Sequence, residues 1–223
     1  MFPLSDTDKA ERFPIVTIGI ILLNIYVFYL QITSPNPDAF IQTYALIPST
    51  VNFADPTTLL RFVTAMFMHG GFLHIISNMW FLWIFGDNVE SYLGRVQYLL
   101  FYLFAGLVGN FLQFFLMPTS AIPMLGASGA IAGVLGAYFI LFPGHKVKTL
   151  LPVLFIFVVD LPAILVLGYW FVLQVLSGFE SLPGAANTGG VAFFAHIGGF
   201  VTGMILAKLF KPSDYVQRNA LQA

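Results

Sequence analysis

The chain contains no cysteine, few charged residues and no run of basic residues. The lack of cysteine excludes a disulfide framework, a cysteine nucleophile and thiolate metal ligands. The formal net charge is only −1, and no basic stripe offers a phosphate-binding surface. We therefore expect no nucleic-acid partner.

Apolar side chains make up 58% of the 223 residues and charged ones only 9%, and the mean hydropathy is +0.87. Soluble domains average about 25% charged residues, so this composition is typical of an integral membrane protein. At about 20 residues per span, the length allows one bundle of about six helices and no second globular domain. The first apolar run, from Phe13, is long for a signal peptide and lacks a small-residue cleavage site, so we expect a retained span.

Apolar runs bounded by proline, glycine, asparagine or charge predict an all-α membrane protein with a bundle of six transmembrane helices. The predicted spans are residues 13–33, 72–92, 96–117, 128–142, 148–176 and 191–210. With both termini in the cytoplasm, only Arg61 among the basic residues lies outside, so the positive-inside rule predicts an N-in, C-in orientation. The predicted divisions are a short cytoplasmic N-terminus at 1–12, a six-span domain at 13–210 and a cytoplasmic tail at 211–223. The exterior loops are then 34–71, 118–127 and 177–190.

A serine and a histidine lie within these apolar segments. Ser128 begins the fourth segment after Gly126, and His196 lies just inside the sixth. The fourth segment is about 22 Å long, shorter than the hydrocarbon core of roughly 30 Å, so its N-terminus should lie below the outer surface. His196 lies at a comparable depth, about 18 Å from Lys208 along its helix. A serine and a histidine at one depth suggest a nucleophile and its base, while the alternatives are a helix N-cap and a buried, carbonyl-bonded histidine.

His74 and Asn78 are four residues apart and share one face of the second span. Either they donate hydrogen bonds to an oxyanion beside Ser128, or they bond to a neighbouring helix. His69 lies on a different face, and we assign it no chemistry beyond support of the site. Because no H-E-x-x-H pair and no nearby carboxylate accompany the histidines, we expect neither a metal nor another cofactor.

Small residues recur every three or four positions on the fourth and sixth segments, a pattern that lets membrane helices approach closely. They are Gly129, Gly133 and Gly136 on the fourth and Gly199 and Gly203 on the sixth. We expect this packing to bring Ser128 and His196 together. Asp160, shortly before Pro162, is the one carboxylate well inside a predicted span; a structural hydrogen bond is the favoured role, and a third triad member is the alternative.

Three motifs in order together resemble the rhomboid family of intramembrane serine proteases, over nearly the whole chain after Ile15. They are His69-Gly70-Gly71-Phe72-Leu73-His74-Ile75-Ile76-Ser77-Asn78-Met79 with Glu90, Gly126-Ala127-Ser128-Gly129-Ala130, and Ala195-His196-Ile197-Gly198-Gly199 with Gly203. The resemblance implies a six-span bundle in which Ser128 attacks a peptide bond and His196 is the general base of a dyad. It also implies that His74, Asn78 and the Ser128 amide hold the oxyanion, and that the fifth helix takes part in substrate access.

The sequence departs from the family at Ala132, where rhomboids often carry an aromatic residue packed on the catalytic histidine. What orients His196 is therefore left open. The leading hypothesis is an endopeptidase that cleaves transmembrane protein substrates in the lipid bilayer. The alternatives are a catalytically silent rhomboid-like binder of membrane helices and a small transporter with a proton path through Asp160.

We expect a multi-pass protein whose site opens to the exterior. Because no long presequence is seen, we expect the plasma membrane of a prokaryote. The sequence leaves the oligomeric state and the natural substrate open.

Overall fold

The computed structural model describes residues 1–8, 10, 12–153, 155–182 and 190–213. Within these ranges the chain forms eight α-helices and a three-stranded sheet. The helices are α1 (Ile15–Thr33), α2 (Pro37–Tyr44), α3 (Pro56–Thr64), α4 (Phe72–Leu93), α5 (Arg95–Leu116), α6 (Ser128–Leu141), α7 (Ala163–Glu180) and α8 (Phe193–Leu209). The strands are β1 (Phe2–Asp6), β2 (Lys146–Val153) and β3 (Phe155–Pro162), and short 3₁₀ turns lie at Pro48–Thr50 and Ala65–Phe67.

Several helices have the length and composition of membrane spans. Among the described residues, α1, α5 and α7 are long and apolar enough to cross a membrane. Residues 56–67 and α4 form a bent pair of helical segments, which counts as a fourth span if the two are taken together. The bend between the two parts is 76°. The helices α6 and α8 are apolar but shorter. The prediction of a largely helical membrane protein is confirmed in this coarser form, while the count of six spans and the orientation stay predictions.

The predicted fifth span is wrong in its first half, and the chain is not all-α. Residues 148–153 and 155–162 lie on the antiparallel strands β2 and β3, and the helix begins only at Ala163. The β-branched residues Val147, Thr149, Val158 and Val159 favour an extended backbone. In addition, a helix through Pro162 would lose a hydrogen bond and clash with the preceding turn.

The hairpin of β2 and β3 also changes the position of Asp160, which the sequence predicts to lie well inside a span. It lies on β3, exposed, directly opposite Lys148 on β2. Opposite charges facing each other across two strands stabilise a sheet. The sheet is completed by β1, which pairs with β2 and whose Pro3 carbonyl accepts a hydrogen bond of 2.8 Å from Trp80 Nε1 on α4.

The helix α6 lies at the centre of the bundle, buried without interruption from Gly129 to Tyr138. Gly199 and Gly203 of α8 place its backbone against the carbonyl groups of Gly129 and Gly133 on α6. A β-carbon at either α8 glycine would overlap the α6 backbone. Small residues on both helices are therefore required for this close approach.

The segment before α6 is held by backbone hydrogen bonds to the long connection between α1 and α4. Leu46 and Met124 exchange two such bonds, of 3.0 and 2.8 Å, and Gly126 donates to the Ala65 carbonyl at 2.9 Å. Irregular backbone at membrane depth is tolerated only where protein or water satisfies its polar groups. These bonds satisfy that requirement next to Ser128. Residues 183–189 of the predicted loop 177–190 and residues 214–223 of the predicted tail lie outside the described residues.

The buried carboxylate of Glu90 on α4 holds the start of α1. It accepts hydrogen bonds from the backbone N–H groups of Val16 and Thr17, at 3.0 and 2.7 Å, and from the Thr17 hydroxyl at 2.8 Å. An anion at a helix N-terminus also interacts favourably with the helix dipole. Glu90 thus fixes α1 against α4 from within the bundle.

Candidate active site

Ser128 is the first residue of α6, and Ala127, rather than Ser128, is the N-cap. The serine side chain therefore does not cap the helix and is free to face the neighbouring α8. Gly126, two residues earlier, has φ +134°, a conformation that L-residues with a side chain rarely adopt. The turn that delivers Ser128 thus depends on a glycine.

Ser128 and His196 are in hydrogen-bond contact. The Ser128 Oγ lies 2.7 Å from Nε2 of His196, which is buried in the first turn of α8. The α8 N-terminus is held in turn by Gln113 of α5, whose Oε1 accepts from the backbone N–H groups of Phe194 and Ala195 at 2.9 and 3.3 Å. The arrangement pairs a hydroxyl with an imidazole at the distance that proton transfer requires.

The other nitrogen of His196 contacts α7. Its Nδ1 lies 2.7 Å from Oε1 of Gln174. One turn earlier on α7, the Trp170 ring lies beside the imidazole, with a centroid separation of 5.9 Å and an interplanar angle of 34°. The imidazole therefore has a hydrogen-bond partner on each nitrogen and an aromatic neighbour.

His74 lies across the site on the first turns of α4. The backbone N–H of Gly70 donates to His74 Nδ1 at 3.2 Å, which leaves the hydrogen of a neutral imidazole on Nε2. A β-carbon at Gly126 would lie 2.9 Å from this Nε2 and 3.5 Å from Ser128 Oγ. The His74 donor and the Ser128 hydroxyl thus border the same small space beside Gly126.

Asn78 lies one turn further along α4 and is buried. Its Nδ2 donates one hydrogen bond, of 2.9 Å, to the His74 carbonyl. An amide nitrogen carries two hydrogens, so a second donor remains. Asn78 and His74 both line the cavity in front of Ser128.

This cavity has a volume of about 670 Å³. Its lining combines the polar groups of Ser128, His196, His74 and Asn78 with a predominantly apolar remainder. The apolar lining residues come mainly from the segment before α6, from α6 and from the residues before α8, with single residues from α2, α4 and α7; they include Leu125, Ile131 and Trp170. Convergent polar groups within an apolar cleft are the usual character of a ligand site.

His69 is fully buried behind His74, with ring centroids 5.2 Å apart. Its backbone N–H and C=O are paired with the side chain of Gln31 on α1, at 3.3 and 2.7 Å. Neither nitrogen of its ring has a hydrogen-bond partner among the described residues. His69 therefore adjoins the site through its ring contact with His74.

In the part of the chain that the structure describes, one group of side chains has the spacing of metal ligands, namely Asp6, Asp8 and His145 near the sheet. The Asp6 carboxylate already accepts hydrogen bonds from the Tyr138 hydroxyl and from Asn88 Nδ2, and that of Asp8 accepts one from a backbone N–H. His145 Nδ1 lies 3.2 Å from the same tyrosine hydroxyl. Because its ligand atoms are engaged within the protein, we assign this group no metal.

The sequence analysis missed two glutamines of the site, Gln113 and Gln174. The signal was present, because each is an uncharged polar residue within a long apolar helix. The same reasoning singles out His196 in the sequence. What the sequence does not reveal is that both amides converge on the first turn of α8.

Comparisons with known proteins agree with the predicted resemblance. The sequence profile of the Rhomboid domain matches residues 56–213. Rhomboid-like protein 11, chloroplastic, of Arabidopsis thaliana is 31% identical over 156 residues, which cover 67% of this chain and 51% of that protein. Rhomboid protein 1, mitochondrial, of Saccharomyces cerevisiae is 28% identical over 187 residues, which cover 82% of this chain and 49% of that protein. The human presenilin-associated rhomboid-like protein, mitochondrial, is 28% identical over 179 residues, covering 78% and 45%.

The chain spans about half the length of these curated relatives. Their names refer to chloroplasts and mitochondria, so they lend no support to the expected prokaryotic plasma membrane. The domain match, in contrast, covers most of the chain and includes the residues of the site described above. The chain therefore belongs to the rhomboid family.

Proposed function

We propose that this protein is an intramembrane serine endopeptidase that hydrolyses peptide bonds in or near the transmembrane segments of other membrane proteins. Rhomboid proteins are typically intramembrane serine proteases. The observation that carries the proposal for this chain is the 2.7 Å contact between Ser128 Oγ and His196 Nε2. An imidazole at that distance can take the hydroxyl proton as the serine attacks.

In the first half of the reaction, Ser128 Oγ attacks the carbonyl carbon of the substrate while its proton passes to His196 Nε2. The resulting tetrahedral oxyanion requires hydrogen-bond donors. Three are proposed: His74 Nε2–H, the second amide hydrogen of Asn78, and the backbone N–H of Ser128. That N–H belongs to the first turn of α6, where helix N–H groups have no partner within the helix and the helix dipole is positive.

The intermediate collapses when the C–N bond of the substrate breaks. His196 gives its proton to the departing amine, and an acyl-enzyme on Ser128 remains. Water then attacks the ester carbonyl and loses a proton to His196. When the ester bond breaks, that proton returns to Ser128 Oγ and the carboxylic product leaves.

The apolar character of the cavity supports transmembrane segments as the substrates. Such segments enter the site from the bilayer without exposing charge, whereas a polar peptide would lose its hydration against Leu125, Ile131 and Trp170. We further propose six spans, with both termini in the cytoplasm and the site open to the exterior, on the distribution of lysine and arginine. The absence of cysteine makes single-cysteine accessibility labelling a direct test of this orientation.

The function is tested with purified protein in liposomes and a set of single-span reporter proteins. We expect the wild type to cut at least one reporter at a defined bond, identified by the mass of both products, and Ser128→Ala to cut none. Ser77→Ala is the matched control, because Ser77 also lines the cavity but bonds the His74 carbonyl at 2.9 Å rather than His196. Equal cleavage by Ser128→Ala and the wild type would refute the proposal, whereas loss only in Ser128→Ala supports it.

A further inference from the structure

Gln174 on α7 reaches His196 from the side opposite Ser128. Its Oε1 lies 2.7 Å from Nδ1 of the imidazole, and its Nε2 donates to the Trp170 carbonyl one turn earlier, at 3.5 Å. If the amide were rotated by 180°, Oε1 of Gln174 would face the Trp170 carbonyl oxygen, and both atoms are hydrogen-bond acceptors. The helix backbone thus determines which end of the amide faces His196.

This orientation decides where the imidazole hydrogen lies. An amide oxygen only accepts hydrogen bonds, so Nδ1 of His196 carries the hydrogen and donates it to Gln174. In a neutral imidazole, Nε2 then carries a lone pair. That lone pair faces Ser128 Oγ, at 2.7 Å. In the other tautomer Nε2 would itself carry a hydrogen and could not take the serine proton.

Trp170 is the second residue of α7 that contacts the His196 imidazole. Its side chain lies beside the imidazole and borders the cavity, which Ala132 on α6 also lines without a large side chain. Trp170 and Gln174 are four residues apart and so share one face of α7. The hydrogen bond to Nδ1 and the Trp170 ring contact therefore both come from α7, and Phe193 of α8 adds an edge contact at 6.4 Å.

We infer that Gln174 is a positioning residue that fixes His196 in the Nδ1–H tautomer, with Trp170 restricting its rotation, so that α7 completes the dyad. The inference rests on the proposed function. Residues of α7 then orient His196 in a chain that has alanine at position 132, where rhomboids often have an aromatic residue. When His196 becomes positively charged during the reaction, the Nδ1–H bond to Gln174 strengthens, because hydrogen bonds to charged groups are the stronger ones.

The test compares two replacements of similar length. Gln174→Met keeps the volume and removes the acceptor, whereas Gln174→Glu keeps an oxygen opposite Nδ1. We expect the kcat of Gln174→Met to fall by about 10- to 100-fold with little change in KM, and Gln174→Glu to retain most of the wild-type kcat. Val172→Met, at an exposed position on the same helix, should leave both constants unchanged.

A second readout does not depend on activity. Protein labelled with ¹⁵N-histidine contains four histidines, and His196→Ala identifies the signals of His196. The wild type should show the Nδ1–H tautomer at His196, Gln174→Met should show a mixture, and Gln174→Glu should keep the wild-type signature. An unchanged tautomer and kcat in Gln174→Met would overturn the inference, as would equal losses of kcat in the Met and Glu variants.

The same readout separates this inference from the proposed function. If the wild type cleaves nothing yet shows the Nδ1–H signature that Gln174→Met loses, the hydrogen bond is as inferred and the proteolytic function is wrong. If the wild type cleaves and Gln174→Met loses neither signature nor rate, the function stands and the role of Gln174 is wrong.

Discussion

The contact between α6 and α8 makes the dyad sensitive to a single added methyl group. At Gly199, a β-carbon would lie 2.9 Å from the Gly129 carbonyl carbon and closer still to its oxygen, whereas ordinary contacts begin near 3.4 Å. In Gly199→Ala the two helices must therefore separate, by roughly 1–1.5 Å if the contact is to become ordinary. Gly199 lies one turn after His196, and Gly129 follows Ser128. The same movement lengthens the 2.7 Å dyad contact beyond hydrogen-bond range.

We expect Gly199→Ala to lose about 1–3 kcal/mol of stability, the usual cost of overpacking a core. Its activity should fall by about 10²-fold, because displacements of about 1 Å have that effect on catalytic groups. Gly19→Ala on α1 is the matched control, since no atom lies within 4 Å of the added β-carbon and alanine favours helix. Thermal unfolding in detergent and reporter cleavage are measured for both. A Gly199→Ala protein with the melting temperature and turnover of the wild type would refute the packing argument.

Three further outcomes follow from the site and its supports. Asn78→Ala and His74→Ala should each reduce turnover by about 10²–10³-fold, because other oxyanion donors remain; unchanged turnover in both would remove them from the mechanism. Glu90→Gln should lower the melting temperature, at a cost of about 1–3 kcal/mol, since the buried acceptor for Thr17 is weakened; an unchanged melting temperature would contradict this. Burial raises the pKa of the Asp6 carboxyl, because the folded protein favours its neutral form. The contribution of Asp6 to the stability of the folded state is therefore fully present below the unfolded pKa and is lost as pH rises through the folded pKa. Melting temperatures measured across this window should fall, and Asp6→Asn should flatten the trend.

The family and the helical character of the bundle could be predicted from sequence because both depend on local signals. Long apolar runs mark helices, and the glycines of the fourth and sixth segments mark a close helix contact. The segment at 148–162 was misjudged because apolar composition alone does not distinguish a helix from two paired strands. The proline at its end and its β-branched residues favoured strands, but strand pairing with β1 is a long-range contact that no window of sequence contains.

In the site, too, some residues have a local sequence signal, whereas the roles of others depend on long-range packing. Ser128 and His196 stand out because each is polar within an apolar segment. Gln174 carries the same signal, yet its role depends on the rotation of α7 relative to α8, and that rotation is set by packing. Ala132 indicated that something else must orient the base, but the sequence did not name the replacement.

The most direct test of the central claim is labelling of the purified protein with a fluorophosphonate, which reacts with activated serine hydroxyls. Peptide mass spectrometry then identifies the modified residue. We predict that Ser128 alone is labelled, that His196→Ala abolishes the reaction, and that Ser77→Ala leaves it unchanged. A folded wild-type protein in which Ser128 stays unmodified, or in which His196→Ala is labelled as fast as the wild type, would contradict the Ser128–His196 dyad.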